Sequence, residues 1–382
     1  MSSEHISVAS HRGRNPASSA SSSFGFRVMG ELWRSRARYL AAASLFVALG
    51  ACGGGGSSSS GPSTPPAGGY STAQAYLEDE GFVGSVLVRR DGVDVIRSGF
   101  GFANKNQQLL NGIDTRYRIG SVSKTFTAFA VSHLHSMGLI ASYDDPIDNY
   151  LPTYPRGNEI TVRHLLRHRS GIPDYLGQVS QDASYTPAEL VDLFDDRALE
   201  FDPGTDFDYS NANYVLLGVL VEAVSGMSYM EYLEVNVFGP LGMINTEYGA
   251  STITGTDYAR GYTRLGQGDT AGHLDMSIPY AAGALVSTIG DLEAWGRSFI
   301  EQPLLDARDY DEIFVDGEYG LGWIESEVAG KSVYWHNGGI NGFSAIIALF
   351  PDQNGLVVAL SNVQNQDDML QRIVSTMAEN EF

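Results

Sequence analysis

The N-terminal part of the folded region is patterned as two β-strands. Residues 83–89 and 93–102 are rich in apolar and β-branched residues, and Asp91-Gly92 stands between them. Asp-Gly is typical of two-residue turns, because both positions of such a turn need a positive φ. The pattern therefore predicts a β-hairpin.

The C-terminal part of the chain returns to strands and closes with a helix. Residues 342–350 and 356–362 are mostly apolar, and a turn containing Pro and Gly separates them at 351–355. Residues 367–379 then repeat their apolar positions at helical spacing. We expect two further strands and a terminal helix.

Helices are predicted between these two strand regions. Apolar residues recur at helical spacing from Ser121 to Met137, where Gly138 ends the pattern, and a short helix is predicted at 72–80. The segment from about 140 to 275 reads as mostly helical, with several turns containing Pro and Gly. Its clearest predicted helices are 162–168, 187–195 and 214–224.

Strands at both ends with helices between them predict an α/β (α+β) fold. One antiparallel sheet would be built from both termini and flanked by helices, with a mostly helical lobe inserted. We expect one domain at 70–382, in which residues 70–140 and 276–382 form an α/β lobe and 141–275 a helical lobe. A functional site is expected in the cleft between the lobes.

The N-terminal region has the sequence pattern of a protein that is exported. A basic run at 34–38 precedes an apolar stretch at 39–51, which is too short to span a bilayer as a mature helix. This order is typical of a signal peptide, so we expect residues 1–51 to be removed, with Met29 as an alternative start of translation.

The apolar stretch ends in Leu49-Gly50-Ala51-Cys52, which resembles the lipobox of bacterial lipoproteins. The resemblance implies that Cys52 becomes a lipidated N-terminus, and that Gly53 directs sorting to the outer membrane, facing the periplasm. Residues 52–69 would then form a flexible Gly/Ser/Pro tether. The alternative is an ordinary secretory signal with a chance cysteine.

Charge and composition exclude several classes of function. The net charge is −21, and the first 52 residues hold six Arg against two Glu, so the rest of the chain carries −25. Such an acidic body disfavours nucleic acid as a partner. Because Cys52 is the single cysteine of the chain, a disulfide framework and a cysteine nucleophile are excluded from the body.

Ser121 and Lys124 are the first candidates for chemistry. Lys124 is one of three lysines, and no other lysine has a serine three residues before it. Three residues make about one helical turn, so the hydroxyl and the amine would share a face. A serine needs a base to become a nucleophile, and a partly desolvated lysine can serve. Taken alone, the pair would also fit an exposed helical turn.

Two more motifs follow in order along the chain. Tyr209-Ser210-Asn211 precedes the helix predicted at 214–224, and His336-Asn337-Gly338-Gly339 leads toward the strand predicted from Gly342. In isolation the first would be a helix N-cap beside an aromatic residue, and the second a loop with a histidine.

In this order the three motifs resemble those of serine β-lactamases, D-alanyl-D-alanine peptidases and related esterases: Ser-x-x-Lys, Tyr-x-Asn, and Lys- or His-x-Gly. Further segments resemble the same family and extend the likeness over about 75–380. They are 160–175, 203–242, 281–292 and 319–323.

The resemblance implies a role for each matched residue. Ser121 would be the nucleophile, Lys124 and Tyr209 its general-base pair, and Asn211 the group that orients Lys124 and the substrate amide. His336 would take the position of the third-motif cation. Asn337 and Gly338 would lie on the strand that binds substrate, and the backbone N–H groups of Ser121 and Gly339 would form the oxyanion hole.

The resemblance implies a serine hydrolase that forms an acyl-enzyme on Ser121 and cleaves amide or ester bonds. D-amino-acid peptides of the cell envelope are the expected substrates, as for a D-alanyl-D-alanine carboxypeptidase. A carboxylesterase for short acyl esters, and a slow sensor or scaffold acylated by β-lactams or peptides, are the alternatives. No cofactor is expected. Although His164 and His168 have helical metal-ligand spacing, we expect no metal.

The third motif departs from the Lys-Thr-Gly of many β-lactamases. His336 and Asn337 replace the lysine and the hydroxyl residue, which weakens the grip on a substrate carboxylate, so we do not expect efficient β-lactam hydrolysis. A charged His336 is expected instead to lower the pKa of Tyr209.

Overall fold

A computed structural model describes residues 72–264, 266, 268–301, 304–305, 307–314 and 319–382. The predicted signal peptide and the whole predicted tether at 52–69, with Cys52, lie outside these residues. The described part belongs to one compact unit. Its centre is a six-stranded antiparallel sheet with the strand order β2-β1-β11-β10-β9-β8. The strands are β1 Gly84–Arg90, β2 Val93–Phe100, β8 Ile324–Val328, β9 Lys331–Ile340, β10 Phe343–Phe350 and β11 Gly355–Ser361.

The predicted sheet from both termini is confirmed by the pairing of β1 with β11, in which Ser85 opposes Leu360. The predicted hairpin is also present: Asp91 and Gly92 both have a positive φ, 49° and 79°, and connect β1 to β2. The strand predicted to reach residue 102 stops at Phe100, because Gly101 turns the chain with a φ of 64°. A short strand pair follows, β3 Phe102–Asn104 and β4 Leu109–Leu110.

Helices cover both faces of the sheet. One face packs against α1 Ala73–Asp79 and α11 Asp367–Asn380, and the other packs against the larger core that contains the remaining long helices. Every residue of β10 and β11 is buried, which agrees with their nearly continuous apolar sequence. The other helices are α2 Ser123–Ser136, α3 Val162–Leu166, α4 Pro187–Val191, α5 Asn211–Ser225, α6 Tyr229–Leu233, α7 Gly239–Leu241, α8 Tyr280–Gly283, α9 Ile289–Glu301 and α10 Ala307–Ile313.

A smaller sheet links the middle of the chain to the segment before Ser121. It consists of β5 Tyr117–Arg118, β6 Glu247–Tyr248 and β7 Leu285–Ser287, with β7 in the centre. The chain leaves β5 and reaches Ser121 within three residues, so this sheet fixes the backbone that leads into the site. The sequence pattern did not predict these two- and three-residue strands.

The predicted secondary structure around the third motif was wrong. Residues 336–339 were expected to lead into a strand from Gly342, but they lie inside β9, and Gly342 belongs to the following turn with a φ of 82°. The hydrophobic pattern did not predict β8 or β9, although the family resemblance assigned Asn337 and Gly338 to a strand. The predicted helices 162–168 and 187–195 end earlier, at Leu166 and Val191, and the helix predicted from 214 begins at Asn211.

No single helix among the described residues is long and apolar enough to cross a membrane. Asn211–Ser225 and Tyr229–Leu241 pass that test of length and composition only as a pair, and they are bent by 75° at the break between them. α5 is largely buried within the fold.

Gly218 allows the close approach of α5 to α8. A Cβ atom at this position would lie 2.4 Å from the Ala281 Cβ and 2.6 Å from the Tyr280 Cε1. Tyr280 itself has a φ of 38°, an uncommon conformation for a residue with a side chain. This packing brings the N-terminal residue of α5, Asn211, and the carbonyl group of Ala282 toward the same point.

Candidate active site

Ser121 lies where a strand turns into a helix. After β5 the chain forms one tight 3₁₀ turn, Gly120–Val122, and continues as α2 from Ser123. The helix predicted from Ser121 is therefore present, with a tighter first turn. The Ser121 side chain is nearly buried, with 4% of the residue surface exposed.

Lys124 is held by three oxygen atoms. Its Nζ lies 3.1 Å from the Ser121 Oγ, 2.8 Å from the Asn211 Oδ1 and 2.8 Å from the carbonyl oxygen of Ala282. The amide and carbonyl oxygens can only accept hydrogen bonds. In the neutral amine they therefore take its two N–H groups, and the lone pair is left facing Ser121. The arrangement orients Lys124 to accept the serine proton.

Burial places the pKa of Lys124 in the range that a general base needs. The residue is fully buried, and desolvation lowers its pKa to about 7, while Asp174 acts in the opposite direction. A large fraction of the Lys124 side chains is therefore neutral at neutral pH.

Asp174 fixes the position of Asn211. One carboxylate oxygen, Oδ2, accepts hydrogen bonds from both the backbone N–H and the side-chain Nδ2 of Asn211, each at 2.8 Å. Since Asn211 Nδ2 is the donor to Asp174, its Oδ1 must face Lys124. The carboxylate thus acts on the lysine through an intervening amide.

The Tyr209 ring lies beside Lys124. The Lys124 Nζ is 4.9 Å from the ring centroid, and the tyrosine is almost completely buried. Burial raises the pKa of Tyr209, and the nearby Ser121 hydroxyl lowers it by less. The Tyr209 hydroxyl has no hydrogen-bond partner among the described residues. Tyr209 is thus a neutral phenol, a state that suits a proton donor better than the base expected of it.

His336 does not fit the cationic role expected of it. Its Nδ1 lies 2.5 Å from the Asn337 carbonyl oxygen and must donate, so its Nε2 accepts from the Tyr319 hydroxyl at 2.8 Å. Desolvation first, and then repulsion by Lys124, lower the pKa of His336 to about 3. A neutral imidazole cannot lower the pKa of Tyr209 by its charge, so that expectation was wrong.

The inner end of β9 has an open edge beside Ser121. β8 begins opposite Trp335, so residues 336–340 extend beyond it. A two-residue turn follows Ile340, and in such hairpins the residues that flank the turn bond to each other. The backbone N–H and C=O groups of Ile340 therefore face β10. Because these groups face opposite sides in successive residues of a strand, those of Gly339 face the open edge.

Gly338 brings the strand against the nucleophile. A Cβ atom there would lie 2.0 Å from the Ile119 carbonyl oxygen and 2.9 Å from the Ser121 backbone nitrogen. Gly120 is also constrained, although less tightly, because its Cβ would lie 2.9 Å from the Gly339 carbonyl oxygen. The two backbones therefore touch, and the N–H groups of Ser121 and Gly339 come from adjoining segments.

The Asn337 side chain lies on the other face of the sheet. Its Nδ2 donates to the Asp367 Oδ1 at 2.8 Å, at the start of α11. A substrate bound at the open edge could reach the backbone of Asn337 but not its side chain. Of the pair assigned to the substrate strand, Asn337 and Gly338, neither presents a side chain to the cleft.

Sequence reasoning missed several residues of this site. Asp174, Ala282 and Tyr319 all lie in segments that resemble the family, but their roles depend on contacts between distant residues. His168 is buried, and its ring centroid is 4.2 Å from that of Tyr209. His164 instead accepts a hydrogen bond from the backbone N–H of Thr161. The described residues contain no group of three or more side chains that could hold a metal ion.

The family model described as Beta-lactamase matches residues 70–375, most of the chain. The chain belongs to the Beta-lactamase family. A penicillin-binding protein of Bacillus subtilis (strain 168) is 28% identical over 334 residues, covering 78% of this chain and 72% of the relative.

Solved structures of the Beta-lactamase fold superpose well on the chain. A penicillin-binding protein from Bacillus halodurans gives a TM-score of 0.72 at 28% identity, covering 80% of this chain and 98% of that one. A D-amino acid amidase from Ochrobactrum anthropi, in complex with D-phenylalanine, gives 0.70 at 26% identity, covering 80% and 97%. The expected family and fold class are confirmed, and the chain is a serine hydrolase of the Beta-lactamase family.

The pKa of Lys124 predicts the pH dependence of acylation. The amine accepts a proton only when it is neutral, so the acylation rate should rise about tenfold per pH unit below pH 7 and level off above it. In the Asp174→Asn variant the midpoint should move to lower pH, because Asp174 raises the pKa of Lys124. Stopped-flow acylation by a nitrophenyl ester measures both profiles. The Asp352→Asn variant, which removes an exposed carboxylate, should keep the original midpoint; equal shifts in both variants would contradict the assignment.

The contact between Gly338 and the Ser121 backbone predicts a sharp difference between two neighbouring glycines. In Gly338→Ala the new methyl group must push Ile119 and Ser121 aside, and we expect acylation to slow about 100-fold, as for a displacement of roughly 1 Å. In Gly339→Ala the Cβ meets no described atom within 4 Å and the N–H is retained, so the loss should stay below about tenfold. Thermal unfolding of both variants checks that the fold persists. Similar losses in the two would contradict the packing.

Proposed function

We propose that this hydrolase cleaves amides and peptides whose acyl part is a D-amino acid, through an acyl-enzyme on Ser121. The observation that carries the proposal is the orientation of Lys124, whose amine is held by Asn211 and Ala282 so that its lone pair faces the Ser121 hydroxyl. The similarity to an enzyme named as a D-amino acid amidase supports the choice of D-configured substrates.

In the first half of the reaction Lys124 takes the Ser121 proton, and the Oγ attacks the acyl carbon. The negative charge on the acyl oxygen is stabilised by the N–H groups of Ser121 and Gly339, a contribution of about 3–4 kcal/mol for one such donor in other hydrolases. Tyr209, a neutral phenol beside Lys124, gives a proton to the leaving amine and is reprotonated by the lysine ammonium. The C–N bond breaks and the amine departs.

In the second half water attacks the ester on Ser121. The same lysine accepts the proton of the water molecule, the acyl–Oγ bond breaks, and the lysine ammonium returns the proton to Oγ, which restores the serine hydroxyl. Each group returns to its starting state, and the cycle needs no cofactor.

The third motif favours amides over substrates with a free C-terminal carboxylate. His336 is neutral and the Asn337 side chain is turned toward Asp367, so this strand offers neither a cation nor a hydroxyl group to a carboxylate. A D-alanyl-D-alanine carboxypeptidase needs to recognise such a carboxylate. We therefore place D-amino-acid amides and internal D-peptide bonds ahead of terminal D-alanyl-D-alanine.

A substrate panel tests the proposal. The full chain is incubated with D-phenylalanine amide, L-phenylalanine amide, a D-alanyl-D-alanine peptide and nitrophenyl butyrate, and Ser121→Ala serves as the matched control. We expect the D-amide to be hydrolysed at least tenfold faster than the L-amide. Mass spectrometry should find an acyl adduct on Ser121, absent in the variant.

Each other outcome identifies an alternative. Turnover of the nitrophenyl ester without any D-amide cleavage would establish a carboxylesterase. Labelling by fluorescent penicillin with negligible turnover of all four substrates would establish a slow sensor or scaffold. Hydrolysis that persists in Ser121→Ala would contradict the acyl-enzyme altogether.

We also propose that the enzyme works at the cell envelope as a lipoprotein anchored through Cys52. The lipobox-like Leu49-Gly50-Ala51-Cys52 and the glycine- and serine-rich stretch after it support this location. In cells that make the full chain, Cys52→Ser should move it from the membrane pellet to the soluble fraction, since the cysteine is the site of acylation. Ser57→Ala in the tether is the control and should stay with the membrane. Retention of Cys52→Ser in the pellet would contradict the anchor.

A further inference from the structure

A cavity of about 100 Å³ opens beside the small sheet that leads to Ser121. Its cationic wall is formed by Arg116 and Arg118, and its apolar wall includes Ile253, Val286 and Phe343. A volume of this size is several times the space that a single buried water requires. The cavity therefore has room for a small organic molecule.

Arg118 brings an uncompensated charge to this cavity. Only 5% of its surface is exposed. Its Nη2 donates to the backbone oxygens of Ala250 and Ser251, at 2.9 and 3.1 Å, and its Nε has no partner among the described residues. Within the same part of the chain it makes no ion pair. A buried charge is costly unless an opposite charge or a full set of hydrogen bonds accompanies it.

Arg116 differs from Arg118, because its charge is already balanced. Its Nη1 lies 3.3 Å from the Asp257 carboxylate and 3.9 Å from Glu247, and its Nη2 donates to the Asn245 Oδ1 at 2.9 Å. The cavity therefore carries close to one unbalanced positive charge, that of Arg118. Burial lowers the pKa of Arg118 to about 10, so its guanidinium is still protonated at pH 7.

We propose that this cavity binds a small organic monoanion, a carboxylate with a short apolar tail. A guanidinium is suited to a carboxylate because its N–H groups match the two oxygen atoms in spacing. The apolar wall of Ile253, Val286 and Phe343 accepts the tail. One carboxylate balances the single free charge, whereas a doubly charged anion would leave an excess of negative charge next to Asp257.

The alternative is that Arg118 is purely structural. Its two hydrogen bonds fasten the backbone at residues 250–251 to β5, and this role needs no ligand. If the cavity binds a ligand, the chain should prefer a carboxylate to a neutral amide of the same shape, and this binding should depend on the residues of the cavity. If Arg118 is purely structural, neither is expected.

Calorimetric titration of the full chain with sodium butyrate tests the proposal. Butyramide has the same shape without the charge, and sodium chloride at equal ionic strength controls for general salt effects. We expect saturable binding of butyrate that is at least tenfold tighter than that of butyramide, and no comparable signal from chloride.

Three variants locate the binding site. Arg118→Met removes the charge and Ile253→Trp fills the cavity from its apolar side, and each should weaken butyrate binding at least tenfold. Arg156→Met, which removes an exposed arginine paired with Glu159, should bind as the original chain does. If Arg118→Met fails to fold, Ile253→Trp alone decides.

Equal binding of butyrate and butyramide would overturn the proposal, and so would no binding at all. Butyrate binding that survives Ile253→Trp unchanged would also overturn it, because the ligand would then occupy another place, such as the cleft at Ser121.

Discussion

The site depends on burying an amine without a carboxylate at its side. Lys124 is fully buried, and its nearest partners are a hydroxyl, an amide oxygen and a backbone carbonyl. A direct carboxylate partner would raise the pKa of the amine and keep it protonated at neutral pH, so that it could not accept the serine proton. Asp174 instead binds Asn211, so it orders the site and raises the pKa of Lys124 from a distance without forming an ion pair with it.

Three glycines allow the segments around this amine to pack more closely than a residue with a side chain would permit. Gly218 lets α5 meet α8, and Gly120 and Gly338 let the turn before α2 lie against β9. At each of these positions a methyl group would overlap atoms of the neighbouring segment. These four segments are distant in sequence, so their contacts, together with the core, determine the geometry on which proton transfer depends.

The sequence predicted the parts of the fold whose pattern is local. The β1–β2 hairpin, β10, β11 and α2 have clear turn residues or periodicity, and their bounds were close to those observed. The hydrophobic pattern missed β9 because 331–336 mixes polar and aromatic residues, and β5, β6 and β7 are too short to give a pattern. Ser121, Lys124 and Tyr209 were found from motif order alone. The neutral state of His336 was not, because it follows from burial and from repulsion by Lys124, and both depend on contacts between segments that are distant in the sequence.

The open edge of β9 has a consequence for molecular handedness. An extended ligand that adds itself to a strand is fixed by its main chain, so its direction and the plane of its peptide groups are set before its side chains are sensed. With the main chain fixed, mirror-image residues differ in which way their Cα substituents project, one toward the sheet surface and the other away from it. A preference for one enantiomer of a substrate can then arise from the backbone at Gly338 and Gly339, beside the nucleophile, without a side-chain pocket that is specific for that enantiomer.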